Sequence, residues 1–164
     1  DFGQEPVYVN TKNAVQIAGR DIDPMERIRM REIHKGHRAL NLKPLDHKLT
    51  VVYIDTLDDI YKAINARCFD IAYRQIGTNK DKVFDIYCDD EGLLKPDSYL
   101  AAYGNDDCLI VGDIIIAKHD ANGEMADLTQ ADIDYIGKQI YRCFDSMQRE
   151  IDILFPISYP NCTR

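Results

Sequence analysis

The chain has 164 residues, of which 45% are hydrophobic and 29% charged, and its 28 acidic against 20 basic residues give a formal net charge of -8. A chain of that length buries a core without metal or disulfide staples, and this apolar fraction excludes a disordered polymer. No segment approaches the roughly 20 apolar residues of a membrane-spanning helix, and the acidic balance disfavours direct DNA binding by the body of the protein.

Charge is unevenly spread along the chain. Residues 1–48 hold 9 basic and 7 acidic residues, whereas 49–164 hold 11 basic and 21 acidic, a net of -10. Residues 1–22 contain only the short apolar piece Val7–Val9 and read as an extended arm. Asp23-Pro24 supplies an N-cap and a proline at the first helical position, which opens a helix running to about Gly36. Arg27, Arg29, Arg31, Lys35 and Arg38 give this region a basic face able to meet phosphate or an acidic partner. With Glu26 and Glu32 interleaved, the same pattern also describes a solvated helix. Leu40–Asp46, with Pro44 inside, reads as a connector. The chain thus divides into an N-terminal arm and basic helix over 1–48 and an acidic α+β domain over 49–164.

Leu49–Ile54 is β-branched and bounded by Asp55, the mark of a strand. Thr56 with Asp59 three residues on forms a capping box, and Leu57, Ile60, Ala63 and Ile64 carry helical spacing to about Arg67. Phe69, Ile71 and Tyr73 alternate with polar positions. With the turn Gly77-Thr78-Asn79-Lys80 and the run Val83–Cys88, they predict a β-hairpin over 69–88. Residues 93–105 are irregular, with a helical turn near Tyr99–Tyr103. Leu109–Ala117 is the most apolar segment and reads as a central strand. Thr129 with Asp132 caps a long last helix whose stripe runs through Ile133, Ile136, Ile140, Phe144, Met147, Ile151 and Leu154 to Pro156. The expected fold is α+β: a small mixed or antiparallel sheet in the order β-α-β-β-β-α, with that long C-terminal helix packed on it.

The candidate chemistry is sparse. Asp120-Ala121-Asn122-Gly123-Glu124 has its glycine at the wrong place for a calcium loop and reads as a plain hairpin turn. His34, His37 and His47 lack cysteine or carboxylate neighbours at ligand spacing and read as surface histidines, so neither metal nor cofactor is expected. Five cysteines, Cys68, Cys88, Cys108, Cys143 and Cys162, form an odd set without a C-x-x-C pair and read as core thiols of a reducing compartment. No basic-then-apolar leader follows Asp1, so a cytoplasmic location is expected. Asp113, set in the apolar strand, suits acid-base work if buried, or marks with Gly112 a bulge whose carboxylate faces water. No phosphate-binding glycine loop, serine-hydrolase elbow or zincin helix exists, and the chain has only three serines. Ten tyrosines on an acidic body fit a recognition surface.

Asp89-Asp90-Glu91-Gly92 ends a strand, Pro96 follows, then come Ile110–Ile116, a Gly123-Glu124 turn and Leu128-Thr129-x-x-Asp132-Ile133. This pattern, over about residues 49–140, resembles an uncharacterised domain-of-unknown-function family encoded by phages, plasmids and other bacterial mobile elements. The resemblance implies no established activity, but its setting implies a non-enzymatic accessory protein. The expected action is binding and inhibition of a basic host protein, a nuclease of restriction or CRISPR-like defence. The expected contact comprises Asp89, Asp90, Glu91, Asp106 and Asp107 with Tyr99 and Tyr103 as aromatic anchors. The alternatives are nucleic-acid binding through the basic helix 23–38, and a small-ligand protein or enzyme built around Asp113 and His119.

Overall fold

The structure is a computed structural model that describes residues 35–105 and 108–160, together with the backbone of Tyr8–Val9. The described residues form two short helices and an eleven-stranded mixed sheet. In chain order the strands are β1 (Tyr8–Val9), β2 (His37–Lys43), β3 (Lys48–Ile54), β4 (Phe69–Ile76), β5 (Val83–Asp89), β6 (Leu100–Gly104), β7 (Leu109–Val111), β8 (Ile114–His119), β9 (Met125–Ala126), β10 (Ile140–Phe144) and β11 (Glu150–Ser158). Helix α1 spans Leu57–Ile64 and α2 spans Gln130–Gly137.

The long C-terminal helix is not there. α2 ends at Gly137, and the chain returns as the antiparallel hairpin β10–β11, with Cys143 opposite Ile151. Residues four apart, such as Ile140 and Phe144, satisfy a strand's period of two as well as a helical stripe, so the stripe was ambiguous. The turn settles it: Asp145 Oδ1 accepts from the backbone N–H groups of Met147 and Arg149 at 2.9 and 2.8 Å, and Gln148 takes φ 64°. Phe144 and Met147, placed by the stripe in the core, are 53% and 59% exposed.

Strand β8 explains the middle of the molecule. Ile114 and Ile116 are buried on one face and Ile115 and Ala117 on the other, so a continuous apolar run is what a strand covered on both sides requires. β5 and β2 flank it, each antiparallel. The expected connector Leu40–Asp46 is mostly strand β2, whose Leu40 and Leu42 are fully buried, while Pro44 sits in the turn to β3. The single strand expected over Leu109–Ala117 is broken at Gly112, which takes φ 87°. Tyr99–Tyr103, expected as a helical turn, leads into and forms most of strand β6, parallel to β11 and antiparallel to β7.

One core joins β2, β5, β8, α2 and β11 with the hairpin β6–β7; a second lies under α1 on the opposite face. Buried Asn41 ties the layers, its Nδ2 donating to the carbonyls of Ala63 in the last turn of α1 and Ile114 on β8. The capping box of α1 forms as expected, but the helix stops at Ile64 because Asn65 takes the left-handed conformation, φ 53° and ψ 52°. The hairpin over 69–88 forms as β4–β5, with Phe69 opposite Asp89.

The capping box of α2 carries a pH signature. Asp132 Oδ2 accepts from the Thr129 backbone N–H at 2.9 Å and from Lys118 Nζ at 2.8 Å. Burial opposes its charge, but the Lys118 and Thr129 bonds prevail and hold the carboxyl below its ordinary value of 3.8. A depressed acid stabilises the fold above its unfolded-state value, and that contribution disappears as pH falls through the lower folded value. Thermal melts of the parent and Asp132→Asn are therefore expected to differ most near neutral pH and to converge below about pH 3.8.

Candidate functional site

The register that pairs Tyr87 with Ile115 brings the end of β5 and the start of β8 to the same end of the sheet. There the left-handed residue Asn65, the 92–99 loop and Gly112–Asp113 enclose a cleft of about 300 Å³. A 3-10 turn over Gly92–Leu94 shapes the loop, and the Gly112 N–H donating to the Tyr99 carbonyl at 2.8 Å closes it against β6.

Four polar groups dominate the lining. Lys95 Nζ meets Asp89 at 2.5 Å, and the Tyr99 hydroxyl donates to Asp113 Oδ1 at 2.6 Å. Burial, then the adjoining Asp113, pushes the Tyr99 phenol up. Burial also holds the Asp113 carboxyl above its ordinary value of 3.8, against the bond from Tyr99 and the field of Lys43. Asp97 and Ser98 complete the polar wall, so three carboxylates face one lysine.

Several of the residues expected at a partner contact meet here. Asp89 and Tyr99 line the cleft, Asp90 is exposed beside it, and Glu91 reaches Arg67 at 3.5 Å. Asp89 is committed internally, since it also accepts from the Glu91 backbone N–H at 2.9 Å. Tyr103 lies outside the cleft lining, with its ring stacked on Phe155 at a centroid distance of 6.1 Å. Asp106 and Asp107 lie outside the described residues, as do the arm expected over 1–22 apart from Tyr8–Val9, and the expected helix as far as His34, with Arg27, Arg29 and Arg31; Lys35 and Gly36, at the expected end of that helix, are not helical. Of the remaining basic candidates, Lys35 is exposed, and Arg38 belongs to β2, where its backbone N–H donates to Asp127.

Asp113 and His119 stand at opposite ends of β8, about 20 Å apart at roughly 3.3 Å per residue, and do not share a site. His119 pairs instead with buried Asp85, Nδ1 to Oδ2 at 2.7 Å, a partner signalled in sequence only by an aspartate between Phe84 and Ile86. Lys95 and Asn65 were likewise missed; the asparagine just past the helical stripe was the available sign of a left-handed stop. The three histidines read as surface residues divide: His37 meets Asp127 at 3.2 Å near solvent, whereas His47 packs against buried Asp152 at 3.2 Å. Burial pushes the thiols of Cys88 and Cys143 up to about 11, which leaves them protonated at neutral pH. Cys68, expected in the core, is exposed; Cys162 lies outside the described residues. The turn at Asp120–Glu124 is a hairpin turn, joining β8 to β9, with Asp120 and Glu124 hydrogen-bonded across it.

Among the described residues no group of three or more His, Cys, Asp or Glu is placed to hold a metal ion, and no helix is long and apolar enough to cross a membrane. Comparison with curated proteins and with solved structures gave no match. A family model does match, over residues 21–141, and its span takes in β2 and part of the segment before it, the elements from β3 to α2 and the first two residues of β10. The chain belongs to this family, a domain of unknown function, DUF3846.

Proposed function

We propose that this protein is an accessory factor of a phage or another bacterial mobile element, which acts in the cytoplasm by binding a basic protein of host defence. The class of partner is a nucleic-acid-targeting effector, whose positively charged groove an acidic body can occupy. The observation that carries the reading is the cleft at the β5 and β8 ends, where Asp89, Asp97 and Asp113 outnumber Lys95 and where Tyr99 lies in the wall. Asp90 and Glu91 extend the acidic surface beside it. The net -10 of residues 49–164 supplies a long-range field of the same sign.

Asp89 is held by Lys95, so it is left intact in the test. Asp90, Glu91, Asp106 and Asp107 are changed together to lysine, and the tagged protein is used for affinity capture from bacterial lysate with and without nuclease. The parent is expected to retain a nuclease-resistant basic protein that a salt step releases, because screening weakens complementary surface charge. The charge-reversed protein is expected to bind that partner at least ten-fold more weakly, a loss of about 1.4 kcal/mol. Equal retention by both proteins, or recovery of nucleic acid alone, overturns the reading.

A further inference from the structure

Among the described residues, the half-buried carboxylate of Asp113 has no cation of its own. Its Oδ1 takes the Tyr99 hydroxyl, and no described Lys, Arg or His forms an ion pair with it. Lys95, which shares the cleft, is taken by Asp89, while Lys43 and Asp46 act on Asp113 with opposite signs through the wider field. A desolvated charge left unpaired costs stability, and groups kept at such a cost concentrate at functional sites. The backbone beside it is also open. Gly112 takes φ 87°, which glycine adopts freely, and nothing lies within 4 Å of where a Cβ would stand.

We propose that the cleft is a socket for one guanidinium group, an arginine side chain of the partner, seated on Asp113. The inference rests on the reading of the protein as a binder of basic partners and names the chemistry of that contact. At about 300 Å³ the cleft is at the lower end of the usual range for ligand sites, which suits one side chain better than a cofactor. A guanidinium is less strongly hydrated than an ammonium, so it enters a half-buried site at a smaller desolvation cost. Its planar donors also bond a carboxylate whose other contact is already fixed. The Tyr99 hydroxyl serves as that fixed contact, orienting the carboxylate before the ligand arrives.

The test titrates the isotope-labelled protein with N-acetyl-L-arginine amide, its uncharged citrulline analogue and its lysine analogue, followed by NMR. Saturable shifts are expected at the amides of Asn65, Tyr99, Gly112 and Asp113 with the arginine compound, and binding at least ten-fold weaker with the other two. Asp113→Asn is expected to abolish saturation while its Tm stays at or above that of the parent, because an unpaired charge has been removed. A lower Tm in Asp113→Asn makes the carboxylate a structural tie and overturns the proposal. So does an equal response to the citrulline or lysine compound, or no saturable response to arginine. None of these results touches the binding of a basic partner as such, which the lysine-for-carboxylate protein tests separately.

Discussion

Gly104→Ala is expected to loosen the hairpin β6–β7 from the rest of the sheet. A Cβ at Gly104 would overlap the Ile157 carbonyl oxygen and come within 2.5 and 2.8 Å of the carbonyl carbon and backbone nitrogen of the same residue. All three are backbone atoms, so no side chain can swing aside. Relief requires β6 to move off β11, where Gly104 pairs with Ile157 in the parallel register. That movement uncovers Ala101, Ala102, Cys108 and Ile110, all buried. The cost is about 3 kcal/mol or more, at the upper end of overpacking effects. For a chain of this size that corresponds to a fall in Tm of roughly 6–12 °C. Because Tyr99 immediately precedes β6, the cleft loses its wall in the same variant. Urea denaturation with Gly123→Ala as the control reads the effect, since open space surrounds Gly123 and only its φ of 81° opposes the change. Equal losses at the two sites would rule out the tight β6–β11 approach.

Asp152→Ala is expected to be nearly as damaging, for an electrostatic reason. Asp152 is 1% exposed and receives Arg142 through two bonds, Nε to Oδ1 at 2.8 Å and Nη2 to Oδ2 at 3.3 Å. His47 Nδ1 lies 3.2 Å from the same Oδ1, and the Asp152 backbone N–H donates to the Pro44 carbonyl. The network therefore fastens the β2–β3 turn to the β10–β11 hairpin, segments far apart in sequence. Removing the carboxylate leaves the Arg142 guanidinium without its bidentate acceptor in a mostly buried place. Breaking a buried pair from one side costs roughly 3–5 kcal/mol, and the partial exposure of Arg142 and His47 argues for about 3 here. Asp152→Asn, which keeps the shape and removes the charge, should recover only part of the loss. Chemical denaturation checks both, and an alanine variant within about 1 kcal/mol of the parent would show that the network contributes little.

Two of the readings that failed at the fold level failed for one reason. Leu40 and Leu42 sit on a strand in the middle of the sheet, yet Pro44 made their segment look like a connector, because local signals do not say on which side of a proline an element lies. Ile140–Leu154 carries a helical apolar spacing, yet pairing with β1, β4 and β6 makes it two strands, and those partners are distant in sequence. The same holds for the site. Asp113 stands out in sequence as a carboxylate in an apolar run, but its partner Tyr99 lies across the β6–β7 hairpin, whose strands the sequence does not announce, and its supposed companion His119 points to Asp85 at the far end of the strand.

What the sequence determined by itself is what depends on neighbours within a few residues. Thr56 with Asp59 and Thr129 with Asp132 close their capping boxes as the spacing requires, and the β4–β5 hairpin and the Asp120–Glu124 turn form where turn residues stand between alternating runs. The acidic character of the body is also written in the chain. Only the tertiary structure decided that Ile140–Phe144 and Glu150–Ser158 are strands, that Asp89 is neutralised by Lys95 while Asp113 has no such partner among the described residues, and that α1 and the 92–99 loop enclose a cleft above it. A strand obtains its hydrogen bonds, and a buried carboxylate its partners, from distant residues, as Asp152 does from His47 105 positions away, so no local pattern fixes either.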